Sequence, residues 1–211
     1  MPRSSEQFDD IRKQKKKLIM DTALELFAEN GFHATSISQI AKKAGISKGL
    51  TYNYFKSKDE ILDQIVKTGF DSIYSHFDLN HDGVLTTEEF KYFIRKSLDV
   101  ISDNKRFWKL YTMLLMQSDL AESVIKKYSN SSAFINQTIK KFIESKGSKD
   151  PEGDLMIISS LLKGASMFII SAPDYFPAKE LEEKIIDASF RIINNQNSKA
   201  VSYENDTEKK A

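Results

Sequence analysis

"LIMDTALELFAENGFHATSISQIAKKAGISKGLTYNYFKSKDEIL", residues 18–62, packs the signals of four helices into one short stretch. Leu18, Ala23, Leu24, Phe27 and Ala28 form a helical stripe on a first helix predicted from Asp10 to Glu29. "ENG" ends that helix, with Gly31 placed to take the left-handed conformation beyond it. Ser36 and Gln39 have capping-box spacing and open a second helix, on which Ile37, Ile40 and Ala41 share a face. Gly45 stops it, and Ser47 caps a short third helix, "KGLTYNYF". "SKDE" at 57–60 opens a fourth, carrying Ile61, Leu62, Ile65, Val66 and Phe70. Short helices separated by a glycine turn predict a helix-turn-helix, whose third helix is the one able to enter a DNA major groove.

The rest of the 211-residue chain continues in helical patterns. Only four prolines and eight glycines interrupt it, and its 40% apolar and 29% charged residues are ordinary for a globular protein. One helix is predicted from the loop at 78–89 to about Ile101, and others over 105–117 and 119–145, the last ended near Gly147. Pro151 opens an apolar helix to Ser171, "APDYFP" breaks it, and Ala178 to about Asn195 is the final helix. No alternating pattern is long enough to build a sheet. The expected class is therefore all-α, with a helix-turn-helix head at 10–57, a larger helical body at 58–195 and a polar tail at 196–211.

A net charge of +1 hides an asymmetry. Ile11 to Lys58 holds ten Lys and Arg against three acidic residues, so the body is acidic. A basic head is the electrostatic footprint of a nucleic-acid binder, although basic residues that merely solvate helices give the same count. The chain has no cysteine, which excludes disulfides and thiolate metal sites and fits a cytoplasmic location. "MPRSSEQFDDIRKQKKKL" lacks the apolar core of a signal peptide. The apolar run at 155–170 is short for a membrane span and has Lys163 at its centre, so a buried helix and no membrane partner are expected. His33, His76 and His81 are scattered and no nucleophile–base motif occurs, which argues against an enzyme.

The runs "A-x-x-L-F-A-x-x-G-F", "T-S-I-x-x-I-A-x-x-A-G-I-S-K-G" and "Y-x-Y-F-x-S-K-x-E-I-L" within residues 18–62 closely resemble the N-terminal domain of TetR-family transcriptional regulators. Thr51 departs from the pattern, where an apolar residue is commoner. The resemblance implies a regulator, most often a repressor, that acts as a homodimer on a palindromic double-stranded DNA operator and leaves it when a small-molecule effector binds. It assigns base contact to Tyr52 and phosphate contact to Tyr54. By chemistry alone, Lys48 can reach a guanine edge or a phosphate, Gly49 permits close backbone approach, Leu50 offers apolar contact, and Asn53 is a further donor. Thr35, Ser36, Ser47 and Lys58 stand at helix starts, where hydroxyls, amides and a cation can hold phosphates. Ile37, Ile40, Ala41, Ile46 and Phe55 are assigned to the core, and "RKQKKK" at 12–17 either adds phosphate contacts or forms a solvated face.

For the body, the resemblance implies a ligand-binding and dimerisation domain whose last two helices pair with a second subunit. Serines, Gly164 and Ala165 amid larger apolar residues allow close helix approach, and Leu181, Ile185, Ile186 and Phe190 give a second stripe. Phe107, Trp108, Tyr111, Leu115, Met116, Met167 and Phe168 are candidate pocket residues, with ordinary core packing as their other reading.

"FDLNHDGVLTTEEF", 77–90, has the spacing of an EF-hand calcium loop. Asp78, Asn80 and Asp82 take positions 1, 3 and 5, Gly83 the sharp turn, and the Val84 carbonyl position 7. Leu85 is the apolar anchor, Thr86 takes position 9 and Glu89 position 12. Phe77 before the loop and Phe90, Phe93 and Ile94 after it suit flanking helices. The same residues also read as a tight turn followed by a Thr86–Glu89 capping box, with no ion. Two functions from different classes therefore stand: the DNA-binding regulator, and as alternative a calcium-binding sensor or calcium-modulated regulator with Ca²⁺ at 78–89. No organic cofactor is expected.

Overall fold

Ser36, Ser47, Ser57 and Thr86 each hold an extended backbone and accept the N–H three residues on, and each starts a helix there. The structure, a computed structural model, describes residues 5–80 and 82–194. The helices are α1 (Ser5–Asn30), α2 (Ile37–Lys43), α3 (Lys48–Tyr54), α4 (Lys58–Tyr74), α5 (Thr87–Asp103), α6 (Lys105–Leu115), α7 (Ser118–Ser145), α8 (Pro151–Ser171) and α9 (Ala178–Asn194). No strand occurs among the described residues, so the all-α class holds. The tail expected at 196–211 lies outside them, as does His81.

α1 begins five residues before the predicted Asp10. Its inward face is Ile19, Ala23, Leu24, Leu26 and Phe27, whereas Leu18, expected in the stripe, is exposed. The Phe27 and Phe32 rings meet edge-on at 5.1 Å, over Ile40, Phe55, Ile61 and Ile65. Each such fully buried side chain contributes about 1.5–3 kcal/mol of transfer free energy. Gly45 ends the α2 turn at φ +67°, a conformation that favours glycine. Thr51 fills its buried position without an orphaned atom, because its hydroxyl donates to the Ser47 carbonyl (3.3 Å). Ile37, Ile40, Ala41 and Phe55 are buried and Ile46 packs against them, as expected.

Head and body share packing. α1 lies against both α4 and α6, and α4 runs on from the head to touch α5 and α6. The Tyr111 ring of α6 sits on Gly69 of α4, where a Cβ would meet it at 2.4 Å. Tyr111 donates its hydroxyl to the Val66 carbonyl (3.2 Å), and burial pushes that phenol's pKa up. In the body, Phe90 of α5 stacks on Phe142 of α7 at 4.7 Å and meets Phe190 of α9 edge-on at 5.8 Å. Lys179 ties α9 to α5 by donating to Asp99 (2.7 Å), and that bond holds the Asp99 carboxyl below its usual range. Burial pushes the neighbouring Glu182 carboxyl up.

Candidate nucleic-acid interface

α3 packs chiefly on α2, which leaves its other side open. Lys48, Gly49, Tyr52 and Asn53 are exposed and fall at i, i+1, i+4 and i+5, one stripe along the helix. Tyr52 is 46% exposed, unusual for so large a ring in a helix of seven residues. Gly49 has nothing within 4 Å of where a Cβ would stand. A helical glycine costs about 1 kcal/mol relative to alanine, and no neighbour inside the protein requires one here. Leu50 is half-buried at the margin of the stripe. Tyr54 leans its ring onto the core from the opposite side and remains half-exposed.

The four polar residues expected at phosphates divide into two pairs. Ser36 and Ser47 are exposed and cap: Ser36 accepts from the Gln39 N–H (3.3 Å), and Ser47 from the Leu50 N–H (3.0 Å). Thr35 and Lys58 instead hold the turn between α1 and α2. Thr35 is buried and donates its hydroxyl to the carbonyls of Gly31 (2.8 Å) and Leu26 (3.3 Å). The Lys58 ammonium donates to the carbonyls of Phe32 (2.9 Å), His33 (3.1 Å) and Thr35 (3.0 Å), and lies 4.5 Å from the Phe32 ring centre. All three of its protons are engaged there, so it clamps the α1–α2 turn. Lys58→Met should therefore lower stability to urea by about 1–3 kcal/mol and leave the salt dependence of DNA binding unchanged. A shallower salt slope at unchanged stability would return Lys58 to the phosphate contacts.

Gln117, which no sequence signal marked, bridges the same turn from the body. Its Nε2 donates to the Phe27 carbonyl (2.8 Å), and its Oε1 accepts from the Phe32 N–H (3.1 Å). Arg106 adds an ion pair from α6 to Glu25 of α1 at 3.1 Å. The turn that sets the position of α2 and α3 is thus held by α4 on one side and by the α6–α7 junction on the other.

The seven residues proposed for one pocket are not brought together. Trp108 and Tyr111 are buried, and Phe107 and Leu115 pack against the core. The Trp108 indole donates to the Val100 carbonyl (2.9 Å). Met116 (75%), Met167 (45%) and Phe168 (48%) are instead exposed. The apolar helix read as buried is also corrected. α8 buries only Ile158, Ala165 and Ile169 among its large set of apolar residues, packing on α5, α6, α7 and α9. Ile157, Leu161, Gly164 and Phe168, at i, i+4, i+7 and i+11, form an outward seam beside an open apolar groove of about 540 Å³. Its 21 residues are long and apolar enough to span a bilayer, but one side is already packed on protein.

In the loop at 78–89, Gly83 turns at φ +73° and donates its N–H to Asp78 Oδ2 (2.9 Å). Asp82 Oδ1 accepts from the Val84 N–H (2.7 Å), and Asn80 Oδ1 from the Asp82 N–H (3.2 Å). Glu89 Oε2 accepts from the Thr86 N–H (2.9 Å) and hydroxyl (2.7 Å), completing the capping box of α5. Leu85 is buried as the anchor position requires.

Comparison with known proteins bears on the head and the fold. Residues 19–65 match the family model described as bacterial regulatory proteins, tetR family. The HTH-type transcriptional regulator YuxN of Bacillus subtilis is 44% identical over 63 residues, 30% of this chain and 22% of that protein. IcaR, an HTH-type negative transcriptional regulator of a biofilm operon in Staphylococcus epidermidis, is 28% identical over 113 residues, 54% of this chain and 60% of its own length. The chain thus spans less than two thirds of either relative. The crystal structure of a TetR-like transcriptional regulator from Rhodococcus sp. RHA1 superposes with a TM-score of 0.65, covering 90% of this chain and 97% of that one at 19% identity. The fold is a TetR-type helix-turn-helix head on a larger helical body.

Proposed function

We propose that the protein is a TetR-family transcriptional regulator: a cytoplasmic homodimer that represses by reading a near-palindromic operator with α3 of each subunit. The observation that carries this is the outward stripe of Lys48, Gly49, Tyr52 and Asn53 on a helix that packs chiefly on its neighbour α2. Lys48 and Asn53 supply donors for base edges, Tyr52 a flat amphipathic ring, and Gly49 the room for a phosphate backbone to approach. Ser36 and Ser47, exposed beside the stripe, complete the set for backbone phosphates. The seam on α8, with the neighbouring face of α9, forms the two-fold interface, and Gly164, with nothing near its would-be Cβ, leaves room for a facing helix.

Release follows from a small molecule entering the body. The groove lined by Phe70, Tyr74, Asn130 and Phe134 lies directly on α4, the helix that continues into the head, and is the place we assign to the effector. A free-standing calcium sensor is the weaker reading, because it leaves the basic head and the exposed stripe without a role.

Selection from a random double-stranded DNA pool tests the proposal. The expected product is an inverted repeat bound by two chains, with half-sites about one helical turn, or a multiple of it, apart. Binding that rises steeply as salt falls but enriches no sequence would overturn it.

A further inference from the structure

The loop between α4 and α5 holds an atom that a capped turn leaves unexplained. Asp78 is 8% exposed, and its Oδ2 accepts from Gly83, so the carboxylate faces into the loop. Its other oxygen, Oδ1, is buried and has no hydrogen-bond partner. A buried carboxylate oxygen without a donor costs about 1–3 kcal/mol or more, and neither the turn nor the Thr86–Glu89 cap needs a charge there. Asn80, Asp82 and the Val84 carbonyl follow at the alternate positions from which a hard cation draws oxygen ligands.

From this atom and that spacing we propose that residues 78–89 bind one Ca²⁺, with Asp78, Asn80, Asp82, Val84 and Glu89 supplying oxygens and Thr86 acting through water. No three acidic or histidine side chains among the described residues stand together as ligands, since Glu89 is turned onto Thr86. Binding must therefore draw Glu89 off the cap and across to Asp78. That movement ties the first turn of α5 to the end of α4. α4 is the helix rooted in the head, and α5 packs on α8 and α9, so the ion would brace the junction between DNA reader and dimer face. The site stands apart from the operator reading, because its test contains no DNA.

The chain itself supplies a control. α2 runs the same capping box with glutamine: Gln39 Oε1 accepts from the Ser36 N–H (2.7 Å) and hydroxyl (2.8 Å). Glu89→Gln accordingly keeps the cap and removes the charge. Asp78→Asn likewise keeps an oxygen for the Gly83 N–H. Chelator-stripped full-length protein is titrated calorimetrically with Ca²⁺, and with Mg²⁺ for comparison. One Ca²⁺ per chain is expected with Kd of about 10⁻⁵–10⁻³ M, as for a lone loop with few charged ligands. Glu89→Gln and Asp78→Asn should each weaken binding at least about tenfold, while Glu89→Gln leaves the chelator-treated thermal midpoint unchanged. No heat at ~10 mM Ca²⁺, or equal heat from the wild type and both variants, overturns the site and leaves the capped turn.

Discussion

Lys48→Ala and Tyr52→Ala each abolish selective operator binding while the chain stays folded and dimeric. Both side chains are exposed on the α3 stripe and neither supports the core, so removal leaves the thermal midpoint where it was. A good base contact discriminates by about 1–3 kcal/mol, and two-fold symmetry makes each residue act twice. The expected loss is therefore about 2–6 kcal/mol, roughly 30-fold to 10⁴-fold in affinity for the selected sequence. Fluorescence anisotropy against selected and scrambled duplexes measures it. Lys48→Ala should also shorten the salt dependence if its ammonium meets phosphate, whereas Tyr52→Ala should leave that slope alone. An unchanged ratio of specific to scrambled affinity would remove α3 from the interface.

The second large effect belongs to the outward seam of α8. Ile157→Glu combined with Leu161→Glu places two carboxylates one turn apart on a face that is apolar and open. Paired by symmetry, four charges meet at the centre of the interface, and desolvating them costs several kcal/mol. Sedimentation velocity should show a monomer at micromolar concentration. Circular dichroism should show the helices intact, because neither side chain belongs to the buried set. Operator affinity should fall about 100-fold or more, since one head then meets one half-site. A persisting dimer would place the interface elsewhere.

Which of these features the sequence discloses depends on how far apart the partners lie. Ser36, Ser47, Ser57 and Thr86 are readable because a cap joins residues three apart, and the structure has each bond. The core of the head is readable for the same reason, through helical spacing. At Thr35 and Lys58 the sequence is ambiguous, because short polar and long basic residues at helix starts suit phosphates and backbone carbonyls equally well. The carbonyls that hold Lys58 come from 23 to 26 residues earlier, and nothing local announces them. Gln117 bonds partners 85 and 90 residues away and carried no signal at all. The aromatic spacing on α6 could not show that Gly69 on another helix receives the Tyr111 ring. α8 reads as buried because it is apolar on both sides; hydrophobicity does not say whether the second side meets the same chain or another copy.

The double hold of Gln117 on the α1–α2 turn bears on modularity. α1 packs on α6, so a fragment ending after α4 would lose that contact and strip two bonds from the turn. The DNA reader is therefore not a detachable cassette. A chimera that borrows only the first seventy-odd residues would inherit its letters without its posture, and one meant to work should carry α6 and the Gln117 that follows it along.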